Sequence, residues 1–174
     1  MLAAKIIGSI LVIASSTGIG FFFGNELKYR IHDLKELRKM MVLLQGDIRY
    51  ANTPLPEAIS SIARRNTGIL GNFFTMTSKR LYELSGKTFS QIWKESVQKE
   101  VICTSLSKKD KLQMMEFGES LGYLDKEMQM NTLELYIAQL TEEITELSKN
   151  VNEKTYLYNS LGIMSGIFVT IIMI

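Results

Sequence analysis

The sequence predicts an all-α protein: an antiparallel helical bundle flanked by N- and C-terminal transmembrane helices that continue into long amphipathic helices. Three observations carry this. Apolar residues recur at spacings of three, four and seven, the period of a helix face. No stretch alternates apolar and polar residues between turns, and only two prolines interrupt the 174 residues. Of the 20 basic and 18 acidic residues, all but Lys5 lie between Glu26 and Lys154, which leaves both ends apolar.

The first element is the uncharged run from Ile6 to Asn25. Twenty helical residues rise about 30 Å, the thickness of a bilayer's hydrocarbon core. A cleaved signal peptide is the competing reading, because Met1 to Lys5 is a cationic start and VIASS offers small residues near a cut. The run stays apolar from Gly18 to Gly24, which suits a retained span better. The last element, Thr155 to Ile174, is equally uncharged. It reads as a buried C-terminal helix or as a second span, and the absence of a polar face after Ser165 favours the span. The expected domains are therefore a transmembrane helix over 1–25, a helical domain over 26–154, and a transmembrane helix over 155–174. Lys28, Arg30, Lys35, Arg38 and Lys39 follow the first span, and Lys149 and Lys154 precede the second. The positive-inside bias places the middle in the cytoplasm, with Lys5 pulling weakly the other way. Gly20–Gly24 and Gly162–Gly166 are small-xxx-small pairs, which let helix backbones approach closely, so these four glycines are candidate packing residues.

Within the middle, Leu27, Ile31, Leu34, Met41, Leu44, Ile48 and Ala51 form one helical stripe that continues the first span. The rod ends at NTPLPEA, where Thr53 is the expected cap and Pro54 the first-turn proline. A helix to Arg65 follows, then a turn at Gly68 and Gly71. FFTMTSKRLYEL is the next helix, stopped by Gly86. Thr88 with Gln91 spells a capping box, and Ser107 with Asp110 repeats it in weaker form. Gly122 is expected to end that helix in the left-handed conformation, and Asp125 to cap the last one. There Leu133, Ile137, Leu140, Ile144, Leu147 and Val151 alternate spacings of four and three, a coiled-coil seam. Nothing breaks it before Gly162, so it runs on into the second span. Trp93 and the pair Phe73–Phe74 read as core.

One segment mimics an active site. GESLG, residues 118–122, fits the G-x-S-x-G elbow that presents a catalytic serine in α/β-hydrolases. That elbow needs a strand before Ser120 and a histidine after it in the chain. Here Ser120 falls near the end of a helix, and the one histidine, His32, lies upstream. A membrane hydrolase using Ser120 therefore remains a minor reading, and no catalytic residue is assigned. No phosphate-binding loop, metal-ligand spacing or cofactor motif occurs. Cys103, the single cysteine, has no partner for a disulfide. A net charge of +2 with interleaved signs argues against a nucleic-acid surface, and no small-molecule substrate is indicated.

Charge is asymmetric in one place. Asp125, Glu127, Glu134, Glu142, Glu143 and Glu146 face only Lys126 over that stretch. This is a solvated face matched to the first rod, or a docking strip for a cytosolic partner with Glu142, Glu143 and Glu146 as its candidate residues.

Three blocks carry a family resemblance: DIRYANTPLPEAISSIA (47–63), GESLGYLDKEMQ (118–129) and YNSLGIMSGIFVTIIMI (158–174). With them the chain resembles the stage III sporulation protein AB family of endospore-forming bacteria, which is similar to the platform proteins of type II secretion and pilus assembly. The matching positions include Tyr50, Thr53, Pro54 and Leu55, then Gly118, Leu121, Gly122, Asp125 and Gln129, then Leu161, Gly162 and Gly166. Asp47 stands where the family usually has glutamate, which keeps the charge, and residues 66–117 carry no recognisable motif. The resemblance implies a non-enzymatic membrane component of the channel between mother cell and forespore, located in the mother-cell-derived membrane. It implies contact with other channel membrane proteins and with a cytosolic secretion-type ATPase, and leaves a homo-oligomer open. A membrane-anchored scaffold unrelated to secretion is the alternative.

Overall fold

The computed structural model describes residues 2–83, 86–122 and 125–173. Met1 and Ile174, the outer ends of the apolar runs, and Leu84, the expected end of the FFTMTSKRLYEL helix, lie outside them. Among the described residues every regular element is a helix: α1 Leu2–Arg49, α2 Leu55–Arg65, α3 Gly68–Tyr82, α4 Phe89–Glu100, α5 Lys108–Leu121 and α6 Lys126–Met173. Helices α1 and α6 are each 48 residues long, so each expected span is continuous with its amphipathic rod. Neither contains proline, and every interior residue keeps its backbone hydrogen-bond donor.

The chain forms two compact units, one of Met1–Ile31 with Thr145–Ile174, the other of His32–Ile144. The second unit is a helical bundle in which α2 packs on α3, α3 on α4, and α4 on α5. From α1 it buries Leu34, Leu37, Met40, Met41, Leu44 and Ile48. Leu37 and Met40 fall outside the expected stripe, because a bundle helix covers a broader apolar face than a two-position seam. Ala51 does not join them: α1 ends at Arg49, and Ala51 is exposed. From α6 the bundle buries Met130, Leu133, Tyr136 and Leu140, while Ile137 and Ile144 of the expected seam are only half-buried.

The core centres on Trp93, which makes edge contacts with Phe73 at 4.9 Å and Phe117 at 5.6 Å between ring centroids. Its indole N–H donates to the Met114 carbonyl at 2.7 Å, so the polar handle of a fully buried ring is satisfied. Arg80 of α3 donates to Glu100 and to Ser96 of α4, both at 2.7 Å, and ties those two helices together.

The helix starts follow local chemistry. Thr88 and Gln91 form a complete capping box at α4, and Ser107 and Asp110 another at α5. The Asp125 carboxylate accepts from the Met128 amide at 2.9 Å and caps α6. Three expectations need correction. Thr53 does not cap α2: the helix starts at Leu55 after Pro54, so it is Pro56 that occupies the first turn, where its missing N–H costs nothing. Gly71 is not a turn residue. It lies inside α3 against the Asn66 carbonyl, and of these two glycines it is Gly68, at φ +84°, that takes the left-handed conformation. Gly122 is right-handed at φ −71° and ψ −19°, so it does not end α5 in the way expected. A Cβ there would sit 3.3 Å from the Phe89 ring, and that close approach is what glycine allows.

Candidate interaction surfaces

In the first unit α1 and α6 run antiparallel, since Gly24 meets Thr155 and Asn159 while Gly166 meets Ile13. Gly20, Gly24, Gly162 and Gly166 all lie on the contact. A Cβ at Gly20 would stand 2.7 Å from the Tyr158 carbonyl oxygen, and one at Gly162 2.9 Å from that of Ser16. Ser16 Oγ donates to the Gly162 carbonyl at 2.6 Å and lies 2.6 Å from Ser165 Oγ. The glycine spacing flagged this seam in the sequence. Serines within both apolar runs fit such a contact by their size alone, since small residues are common where membrane helices touch, and the structure adds their hydrogen bonds. The apolar side chains point the other way: Ile10, Leu11, Phe22, Met164, Phe168 and Ile172 are all more than 60% exposed. In water that arrangement would bury small residues and solvate large ones, against the hydrophobic effect. In lipid it is the ordinary one, because close backbone packing rather than apolar burial joins membrane helices. Both helices are also long and apolar enough to cross a membrane.

In the bundle the first two motif blocks meet. Asp47, Tyr50, Thr53 and Pro54 lie at the end of α1 and the entry to α2, and Leu121, Gly122, Asp125 and Gln129 lie between α5 and α6. Lys126 Nζ donates to Asn52 Oδ1 across this junction, and Asn52 is the one non-glycine residue with positive φ among those described, at 51°. The Thr53 amide donates to the Asp47 carbonyl at 3.2 Å, while Arg65 contacts the Asp47 carboxylate at 3.5 Å. Gln129 Nε2 donates to the Leu121 carbonyl at 3.5 Å, from α6 back to the end of α5. Leu121 is fully buried, whereas Tyr50 is 82% exposed.

The acidic residues divide. Glu134 pairs with Arg49 of the first rod at 3.1 Å, and Glu143 with Lys109 of α5 at 3.1 Å. Glu142 and Glu146 are exposed, four residues apart on α6.

Ser120 sits in the last turn of α5, where its hydroxyl donates to the Glu116 carbonyl at 3.1 Å. It lines a shallow groove of about 190 Å³ between α5 and α6. His32 lines a different groove, beside Asp33, Glu36 and the start of α3. Among the described residues the structure thus places no histidine beside Ser120 and no strand before it. Behind the groove, Phe117 and Tyr136 stack with centroids 4.5 Å apart. The buried Tyr136 hydroxyl has no hydrogen-bond partner among the described residues, and burial, with the nearby Asp110 carboxylate, pushes its ionisation well above the usual phenol range.

The family model for stage III sporulation protein AB matches residues 5–174. The chain belongs to that family. Stage III sporulation protein AB of Bacillus subtilis (strain 168) is 26% identical to it over 171 residues, which cover 97% of this chain and 98% of the relative. A solved structure of stage III sporulation protein AB is similar to it at a TM-score of 0.64 and 25% identity, over 71% of this chain and 96% of the other. As a member of the stage III sporulation protein AB family, the chain is a sporulation-related protein, and its two outward-apolar helices give it a membrane location.

Proposed function

We propose that the chain is a non-enzymatic platform of the sporulation channel, anchored in the mother-cell-derived membrane around the forespore. Its residues 1–25 and 155–174 span the bilayer, and residues 26–154 present a cytoplasmic surface. The observation that carries this reading is the glycine–serine seam between two helix segments on which Ile10, Leu11, Phe22, Met164, Phe168 and Ile172 face outward. Both helices run unbroken into the amphipathic segments that contribute to the bundle core, so the anchor and the presented surface are parts of the same two rods. The working parts are surfaces: they meet other channel membrane proteins and a cytosolic secretion-type ATPase.

Cys103 provides the test, because it is exposed and lies between α4 and α5. In intact sporulating cells it should resist an impermeant thiol reagent, and it should react once the cells are opened. A cytosolic secretion-type ATPase should co-purify with the full chain in mild detergent. Ready labelling in intact cells would overturn the topology, and a sporulation defect absent on deletion would overturn the role.

A further inference from the structure

We propose that the groove between α5 and α6 is a socket for an arginine or lysine side chain carried on a helix of a protein partner, an inference that rests on the platform reading above. Gln113, Glu116 and Ser120 of α5 face Thr132, Leu135 and Gln139 of α6 across it. At about 190 Å³ it is smaller than the roughly 300–1,000 Å³ of small-molecule sites and of a size for a side chain. Two antiparallel helices leave between them the furrow into which a third helix packs.

Charge selects the occupant. Among the described residues, Glu116 is the one charged residue lining the groove, and no lysine or arginine lines it. The neighbouring carboxylates are engaged, Glu119 by Lys94 at 2.8 Å and Glu143 by Lys109 at 3.1 Å. Glu116 and Glu142 have no such ion pair among the described residues. Glu142 continues the α6 stripe of Leu135 and Gln139, because residues four and then three apart share a helix face. Two uncommitted carboxylates thus border a socket whose exposed apolar wall is Leu135, 62% exposed. A long cationic side chain fits both features, since its methylene stem covers apolar surface while its head reaches a carboxylate. Arginine suits it best, because its planar fork meets a carboxylate through two hydrogen bonds.

The test places a photo-crosslinking benzoylphenylalanine at Leu135 of the full chain in sporulating cells and maps the linked residue by mass spectrometry. The expected product is a helical segment of another protein with an arginine or lysine within one turn of the link. Its yield should collapse in Glu116→Lys/Glu142→Lys and return when that partner cation is changed to glutamate, as like charges are removed from opposition. Should the double reversal lower the melting temperature, Glu116→Gln/Glu142→Gln replaces it, with a smaller loss expected. Links only to lipid, to a second copy of this chain or to a segment without cations overturn the proposal, as does a yield indifferent to both double changes or no link at all. If the ATPase still co-purifies in those cases, the socket alone is wrong; if no sporulation protein co-purifies with the unaltered chain, the platform reading fails first.

Discussion

Gly118 leaves the space that the Trp93 indole fills. A Cβ at Gly118 would overlap the ring, 2.6 Å from Nε1, and the ring is held in place by its hydrogen bond to Met114. The first glycine of GESLG is therefore a packing residue, and the serine two positions on is a surface residue. Gly118→Ala should destabilise the purified chain by about 1–3 kcal/mol, the usual cost of overpacking a well-filled core. Ser120→Ala removes one exposed hydrogen bond within its own helix, so sporulation and melting temperature should be nearly unchanged. Loss of sporulation in Ser120→Ala at normal protein levels would restore the hydrolase reading.

The hairpin makes a sharper comparison between two glycines of one span. Gly20 has the Tyr158 carbonyl oxygen 2.7 Å from its Cβ position, whereas Gly18 has nothing within 4 Å. Gly20→Val should separate α1 from α6, and Gly18→Val should not. The reporter is the disulfide formed between Ser16→Cys and Ser165→Cys, whose hydroxyl oxygens lie 2.6 Å apart, in a Cys103→Ser background. Equal disulfide yield in the two glycine variants would show that the seam does not depend on close backbone approach.

Tyr136 should respond to pH and to deletion of its hydroxyl. Folded, it keeps its proton above the pH near 10 at which the unfolded phenol loses it. Below that pH both states are protonated and stability is unaffected; above it the unfolded state binds fewer protons, so stability falls as pH rises. Tyr136→Phe should flatten this alkaline slope in thermal melts. At neutral pH it should hold or raise the melting temperature, because a buried hydroxyl without a partner costs about 1–3 kcal/mol in lost hydration. A marked fall would mean that the hydroxyl has a partner in solution.

The acidic residues of α6 should separate by role. Glu143→Lys breaks the pair with Lys109 and should lower stability by up to about 1 kcal/mol, since that pair is partly exposed. Glu142→Lys/Glu146→Lys should leave the melting temperature alone and abolish co-purification of the ATPase. Retained co-purification with a lowered melting temperature would make these residues part of an internal seam.

The sequence by itself determined whatever depends on neighbours along the chain. The reciprocal boxes at Thr88 and Ser107 and the cap at Asp125 are contacts over three residues, so their spelling was enough. The apolar length of both ends, the uninterrupted rods and the glycine pairs were equally legible, as was the core character of Trp93, Phe73 and Phe74. Tertiary structure decided what depends on a partner distant in sequence. Gly122 reads as a helix stop in the sequence, and only the fold shows which aromatic rings of α4 lie against it and against Gly118. Leu37 and Met40 are core because the bundle covers a wider face of α1 than one stripe. Glu143 and Glu142 are adjacent and chemically identical, yet the fold sets Lys109 of another helix beside the first and leaves the second exposed. Helix periodicity says which residues share a face; it takes the packed neighbour to say what that face meets.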